Sequence, residues 1–185
     1  DLNGDRYPDV YITNMQGDNH YFENLKGKGF LEKTASYFPK TPWGAMQAKF
    51  LDSNNDGLMD LYVVDMHSDM NDLQMKLAGT MNPKIEKSKS EAWCTPQYDE
   101  TTLQGSSNNI FGNAFYVNLG QGKFEERSDA LGVETYWPWG ISVGDFNADG
   151  YQDIFVAAGM GFPFRYGINS LLLNQDGKQF YDAEF

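Results

Sequence analysis

The stretch DFNADGYQD, residues 145–153, decides the fold of this chain because it occurs three times in related form. Its relatives are DLNGDRYPD at 1–9 and DSNNDGLMD at 52–60, and all three share the pattern Asp-x-Asn-x-Asp-x-x-x-Asp. Side-chain oxygens at positions one, three, five and nine, with a main-chain carbonyl at position seven, suit a hard cation that takes several oxygen ligands. Carboxylates this close would repel one another without a cation. The pattern therefore predicts up to three Ca²⁺ sites.

The predicted calcium ligands are the residues at these five positions of each loop. They are Asp1, Asn3, Asp5, Tyr7 and Asp9 in the first loop, Asp52, Asn54, Asp56, Leu58 and Asp60 in the second, and Asp145, Asn147, Asp149, Tyr151 and Asp153 in the third. Position six holds Arg6 in the first loop but Gly57 and Gly150 in the others. Because this position favours a positive φ, which disfavours Arg, the first site is the least well supported.

The residues after each loop exclude the EF-hand. An EF-hand loop closes with a bidentate Glu and leads into a helix. The corresponding closing position here is Ile12, Val63 or Val156. The continuations VYIT, LYVV and IFVA are β-branched and aromatic, which is typical of strands. Each loop therefore joins two strands.

A longer repeat surrounds the loops. An apolar strand, an Asn-led turn containing Gly and a second strand that opens with Phe recur around 24–30, 118–124 and 174–180. Trp-Gly pairs at 43–44 and 139–140 precede the second and third loops. Each unit therefore has four strands: one into the loop, one out of it, and a hairpin pair. Repeated four-stranded units indicate an all-β protein made of β-propeller blades.

The pattern Gly-Asp-Phe-Asn-x-Asp-Gly-x-x-Asp at 144–153, with the turn Asn-x-Gly-x-Gly-x-Phe at 118–124, resembles the FG-GAP/VCBS repeats. These repeats form the blades of integrin α-subunit propellers and of many secreted proteins. The stretch NLGQGKFEE at 118–126 and the Trp-Gly pairs are most similar to the subgroup of cartilage acidic protein and the ASPIC/UnbV proteins. The resemblance covers nearly the whole chain except 66–112. It implies a seven-bladed calcium-binding propeller of extracellular, secreted or periplasmic location.

The repeat divides the chain into about three blades. We expect a partial blade with its calcium loop at 1–42, a blade with its loop and a long insertion (66–112) at 43–135, and a blade with its loop at 136–185. Three blades in an open arc would leave unpaired edges and a half-exposed core. We therefore expect a fragment of a longer chain, whose first partners are the remaining blades of the parent propeller.

The composition narrows the choice of partners. The net charge is −12, from 26 acidic and 14 basic residues, and three Ca²⁺ ions would cancel half of it. This acidity argues against nucleic-acid binding, which needs a basic surface. No apolar stretch is long enough to span a membrane. The single cysteine, Cys94, excludes an internal disulfide. Multi-carboxylate sites of weak affinity suit the high calcium concentration outside cells.

Strand direction predicts which surface carries specific function. Because blade strands run antiparallel, the calcium loops and the Asn-led turns lie on one face of the propeller. The insertion 66–112 and the connection 159–168 then lie on the opposite face. By resemblance, integrin propellers use that opposite face for ligand. We therefore expect a protein or glycan ligand there.

The insertion has two interpretations. Asp65, His67 and Asp69 alternate, so they could form a metal or acid–base group on one side of an extended segment. Alternatively, Ser68 caps a short helix that packs apolar side chains on the propeller, namely Met70, Leu73 and Leu77. We favour the helix because motifs this short produce many false positives. The roles of His67 and Cys94 remain unassigned.

The aromatic residues are mostly expected in the core. Trp137 and Trp139 could stack on sugars or pack between blades, and packing is the favoured interpretation. Four phenylalanines recur in the repeat pattern and are expected to be buried: Phe22, Phe30, Phe124 and Phe180.

Two function classes remain open. The first is a calcium-stabilised extracellular propeller for protein or glycan binding and adhesion. The alternative is a carbohydrate-active, lyase-like enzyme whose catalytic residues lie largely outside this chain. The chain has two histidines, no clustered His/Cys site and no Gly-x-Ser-x-Gly elbow, so we predict no catalytic residue in it.

Overall fold

The computed structural model describes residues 1–15, 17–66, 109–110, 112–161, 165–166 and 168–183. In chain order its elements are β1 Val10–Ile12, β2 His20–Asn24, β3 Phe30–Glu32, α1 Thr34–Tyr37, β4 Thr41–Pro42, β5 Ala45–Leu51, β6 Asp60–Asp65, β7 Asn109–Ile110, β8 Ala114–Asn118, β9 Phe124–Glu126, α2 Ser128–Leu131, β10 Pro138–Gly144, β11 Asp153–Ala158, β12 Met160–Gly161, β13 Arg165–Tyr166, β14 Ser170–Gln175 and β15 Gln179–Asp182.

The larger sheets are antiparallel meanders that follow one another along the chain. Blade 1 has the strand order β1-β2-β3, blade 2 the order β5-β6-β8-β9, and blade 3 the order β10-β11-β14-β15. β4 pairs with β7 in parallel, and β12 pairs with β13. The predicted all-β fold of propeller-type blades is confirmed. Among the described residues, no helix has the length and apolar character needed to cross a membrane.

Two apolar layers hold neighbouring blades together, and β6 contributes to both. Leu61 and Val63 belong to the layer between blades 1 and 2, with Tyr21 and Phe38 among its members. Tyr62 and Val64 belong to the layer between blades 2 and 3. All six residues of β6 are buried. Burial on both faces explains why this strand is a continuous apolar run instead of an alternating one.

The exposed apolar residues of blade 1 correct one expectation. Phe180 is buried and Phe124 is half-buried, whereas Phe30 is 54% exposed. Phe30 pairs with Asn24, and Val10 pairs with Phe22, so these side chains share the face of blade 1 opposite Tyr21. In blade 2 the corresponding face packs against blade 1. No described residues cover this face of blade 1, so the prediction that Phe30 lies in the core is wrong.

The Trp-Gly pairs do not occupy equivalent positions. Trp43 precedes β5, whereas Trp139 lies within β10. Counted back from the loops, the equivalent of Trp139 is Met46, and both residues lie where the strand register shifts. Met46 packs against the apolar layer between blades 2 and 3, but Trp139 is 45% exposed. Because Met46 packs against the following blade and the described residues include no blade after blade 3, packing of Trp139 between blades stays a prediction.

The insertion lies mostly outside the described residues. Of 66–112, the structure describes Met66, β7 and Gly112. The alternatives for His67, Asp69 and the Ser68-capped segment, and the role of Cys94, fall outside this part of the chain. Asp65 is described, and its buried carboxylate accepts a hydrogen bond from the Gly44 N–H at 2.8 Å.

Candidate metal centre

Position one closes each loop through its carboxylate. We call residues 1–9, 52–60 and 145–153 loops 1, 2 and 3. In loop 2, Asp52 Oδ1 accepts the Asp56 N–H at 3.0 Å and Oδ2 accepts the Gly57 N–H at 2.9 Å. Asp145 makes the two equivalent bonds in loop 3, at 3.0 and 2.9 Å. Asp1 accepts three N–H groups of loop 1, those of Gly4, Asp5 and Arg6.

Positions three and five contact each other. Asn54 Oδ1 accepts the Asp56 N–H at 3.1 Å, and Asn54 Nδ2 donates to Asp56 Oδ2 at 2.9 Å. Asn147 and Asp149 repeat both contacts, at 3.0 and 2.8 Å. In loop 1, Asn3 Oδ1 accepts the Asp5 N–H at 3.0 Å. The position-five carboxylate also accepts the N–H of position seven, which is Tyr7, Leu58 or Tyr151.

Position nine connects a loop to a hairpin turn and is buried at Asp60 and Asp153 and half-buried at Asp9. We call 24–30, 118–124 and 174–180 turns 1, 2 and 3. Asp60 Oδ2 accepts from the N–H and hydroxyl of Ser53, and its Oδ1 accepts the Asn118 N–H at 2.8 Å. Burial raises the pKa of the Asp60 carboxyl, and these hydrogen bonds oppose the rise. Asp9 and Asp153 likewise accept one N–H of their loop and one of their turn.

The loop backbone is left-handed at two positions. Position six has φ of 74° at Arg6, 83° at Gly57 and 92° at Gly150. This confirms that position six requires a positive φ, which Arg6 adopts despite its side chain. Position four is also left-handed, at Gly4, Asn55 and Ala148. Because these three residues differ, the sequence pattern did not reveal the second requirement.

The structure brings together the side chains of each predicted loop without forming a compact carboxylate cluster. In the described part of the chain, no three His, Cys, Asp or Glu side chains form a group that could hold a metal. Position three is an amide, and both oxygens of the position-nine carboxylate accept main-chain N–H groups. The atoms predicted to bind the metal are nevertheless all oxygens, which are the ligands that calcium prefers. The residue types in the loops therefore suit calcium.

Two sets of asparagines that hold strand ends and loops were not predicted from the sequence. One set accepts an N–H group at or just beyond the end of the strand that leaves each loop: Asn19 from Asn14, Asn113 from Asp65, and Asn169 from Ala158. The shared signal was an Asn directly before the third strand. The other set opens the turns and was recognised only as turn residues. Its members donate side-chain hydrogen bonds to the loops: Asn24, Asn118 and Asn174.

The chain matches the FG-GAP-like repeat over residues 1–63 and 102–156. The first range contains loops 1 and 2, the second contains loop 3, and together they include more than half of the chain. No curated protein matches the chain. The repeated loops, the four-stranded blades and this match agree, and the chain belongs to the FG-GAP-like repeat family.

Proposed function

We propose that loops 1–3 bind Ca²⁺ and that the chain is part of a calcium-stabilised, extracellular β-propeller module for protein or glycan binding. One observation carries the calcium proposal. Loops 2 and 3 make the same set of side-chain to main-chain hydrogen bonds although their sequences differ at positions two, four, seven and eight. A shared loop geometry built on oxygen side chains is expected where the same ion is bound.

The ligands would be positions one, three, five, seven and nine of each loop. An ion entering loop 2 would have to replace the contact between Asn54 Nδ2 and Asp56 Oδ2. This exchange is favourable because a divalent cation attracts a carboxylate more strongly than a neutral amide does. Calcium binding to the native loops alone would stabilise the fold by mass action.

The proposed ligand surface lies opposite the loops. The connection after β6 begins at Asp65, at the other end of the strand from Asp60 and loop 2, and the chain returns at Ala114. Trp139 lies near this end of blade 3, because its neighbour Pro138 pairs with Ala158 at the end of β11. Its exposed indole could stack on a sugar or pack against an apolar side chain of a partner. A role in adhesion and membership of the cartilage acidic protein and ASPIC/UnbV subgroup are part of this proposal.

Calcium titration tests the proposal. We expect the melting temperature to rise with Ca²⁺ and to fall in chelator, and isothermal titration calorimetry to show binding. Asp56→Ala and Asp149→Ala each remove a charged ligand and should reduce the stabilisation. Asp176→Ala is the matched control, because Asp176 is an exposed carboxylate on turn 3 and outside the loops. Equal melting curves in calcium and in chelator would overturn the calcium proposal.

A further inference from the structure

Asn174 joins two calcium loops from different blades. Its Nδ2 donates to the carbonyl of Ser53 in loop 2 at 2.8 Å and to the carbonyl of Gln152 in loop 3 at 3.1 Å. Its main-chain N–H donates to Asp153 Oδ1 in loop 3 at 2.8 Å. Only 2% of the residue is exposed, so water competes little for these bonds.

Asn118 makes the equivalent connection between loops 1 and 2. Its Nδ2 donates to the carbonyl of Leu2 at 3.2 Å and to that of Met59 at 3.0 Å. Its N–H donates to Asp60 Oδ1 at 2.8 Å. Asn24 opens turn 1 and, in the described residues, donates from Nδ2 only to Pro8 of its own loop, at 2.9 Å. The bridge therefore forms wherever a preceding blade is present.

Loops 2 and 3 also touch directly. The Asp52 N–H donates to Gln152 Oε1 at 2.7 Å, and Asn55 Nδ2 donates to the Gly150 carbonyl at 3.1 Å. Asp52 is position one of loop 2, and Gly150 is position six of loop 3. The predicted ligand residue Asp52 of loop 2 is thus hydrogen-bonded to loop 3, and the main chain of loop 3 at Gly150 is hydrogen-bonded to loop 2.

We propose that Asn118 and Asn174 are positioning residues that couple neighbouring loops, so that Ca²⁺ at one loop raises the affinity of the next. This inference rests on the proposed calcium function. Binding at loop 3 would fix Asp153, which holds the Asn174 N–H, and Asn174 in turn holds Ser53 at position two of loop 2. Ordering the shared asparagine once lowers the entropic cost of the second binding event, which gives positive cooperativity. Coupling of this kind changes affinity by roughly tenfold.

The test measures occupancy of single loops. The amide signals of Gly57 and Gly150 in ¹H–¹⁵N NMR spectra report loops 2 and 3 separately during a Ca²⁺ titration. We expect Asp149→Ala, which disables loop 3, to weaken calcium binding at loop 2 by about tenfold. In the Asn174→Ala background the same change should alter the loop 2 affinity much less, because only the direct contacts of Asp52 and Asn55 then link the two loops. If Asp149→Ala alone leaves the calcium affinity of loop 2 unchanged, the coupling is overturned. If neither loop responds to calcium, the calcium proposal itself is overturned.

Two controls separate coupling from general damage. Asn24→Ala removes an equivalent turn asparagine that, within the described part of the chain, bridges no two loops, so it should leave the coupling between loops 2 and 3 intact. Calcium-free hydrogen exchange supplies a second readout, since Asn174→Ala should speed exchange at loop 2 amides and Asn24→Ala should not. If Asn174→Ala fails to fold, Asn55→Gly removes the bridge to Gly150 while keeping the left-handed backbone. A smaller reduction in coupling is then expected, and unchanged coupling would count against the proposal.

Discussion

Gly177 lies directly on Asn54: a Cβ added at Gly177 would be 2.8 Å from the Asn54 Cα. Turn 3 of blade 3 therefore sits on loop 2 of blade 2 with no room for a side chain. Gly177 also has φ of +71°, so its position requires glycine for two independent reasons. The equivalent residue of turn 1, Gly27, has φ of +77° but no such contact, since its nearest neighbour is 4.0 Å away.

Substitution of Gly177 and of Gly27 measures how tightly turn 3 of blade 3 packs on loop 2 of blade 2, because only Gly177 makes this contact. Gly27→Ala should lower the free energy of unfolding by about 1–2 kcal/mol, the cost of a left-handed residue with a side chain. Gly177→Ala should cost about 1–3 kcal/mol more, because the methyl group must push loop 2 away. Urea denaturation of both variants provides the comparison. Equal losses would show that turn 3 does not rest tightly on loop 2.

Position six of the loops provides a second test of backbone strain. Arg6→Gly should raise the free energy of unfolding by about 1 kcal/mol, because Arg6 holds a φ of 74° that glycine adopts without strain. Gly150→Ala is the reverse change at the same position of loop 3 and should lower stability by a similar amount. Among the described residues other than its two chain neighbours, no atom lies within 4 Å of a Cβ added at Gly150, so φ decides the result. Both are measured in chelator, and a loss of stability in Arg6→Gly would contradict the argument.

The order of strands, loops and turns could be predicted from the sequence because the recurring residues are those that the main-chain conformation of each unit requires. Strands, loops and turns recur in the same order in each unit, and the Asp residues of the loops are read directly from their pattern. Contacts between units were harder to predict. Phe30 and Phe180 occupy the same repeat position, yet one is exposed and the other buried, because burial depends on the neighbouring blade. The bridging role of Asn174 was missed because its partner Ser53 lies 121 residues away in sequence.

The carboxyl of Glu134 should make stability depend on pH. Glu134 is exposed as a residue, but its Oε2 accepts the Asn113 N–H at 3.1 Å, beside the backbone of Gly112. Desolvation first, and then nearby carboxylates including Asp129, raise its pKa from 4.5 to about 8. The native state then holds the proton more tightly than the unfolded chain. The stability that Glu134 contributes is therefore fully present below the ordinary carboxyl pKa and is lost as the pH rises through about 8.

Denaturant unfolding between about pH 5 and pH 9 checks this dependence. Glu134→Gln should flatten the profile because the amide does not titrate. Glu125→Gln is the control, since Arg127 lowers the pKa of the exposed Glu125 and keeps it charged throughout this range. If the Glu134→Gln profile keeps the original slope, another group is responsible.

Asn113 is a buried side chain whose hydrogen-bonding capacity is fully used. Its Oδ1 accepts the Asp65 N–H at 2.9 Å, and its Nδ2 lies within reach of Val133 O, Thr135 Oγ1 and Tyr62 Oη at 3.1, 2.9 and 3.0 Å. The residue is completely buried. It therefore ties the end of β6 to the segment after α2, on the side of blade 2 where the insertion departs.

Asn113→Ala should consequently be among the most destabilising substitutions in the chain. It leaves a buried N–H and several acceptors without partners, which costs about 2–4 kcal/mol. Asn169→Ala removes the equivalent asparagine of blade 3, whose Oδ1 accepts only the Ala158 N–H among the described contacts and which is exposed. Water can replace that bond, so the loss should stay below about 1 kcal/mol. Thermal and urea unfolding of the two variants measure the difference, and a comparable loss in both would mean that burial does not set the strength of this repeated contact.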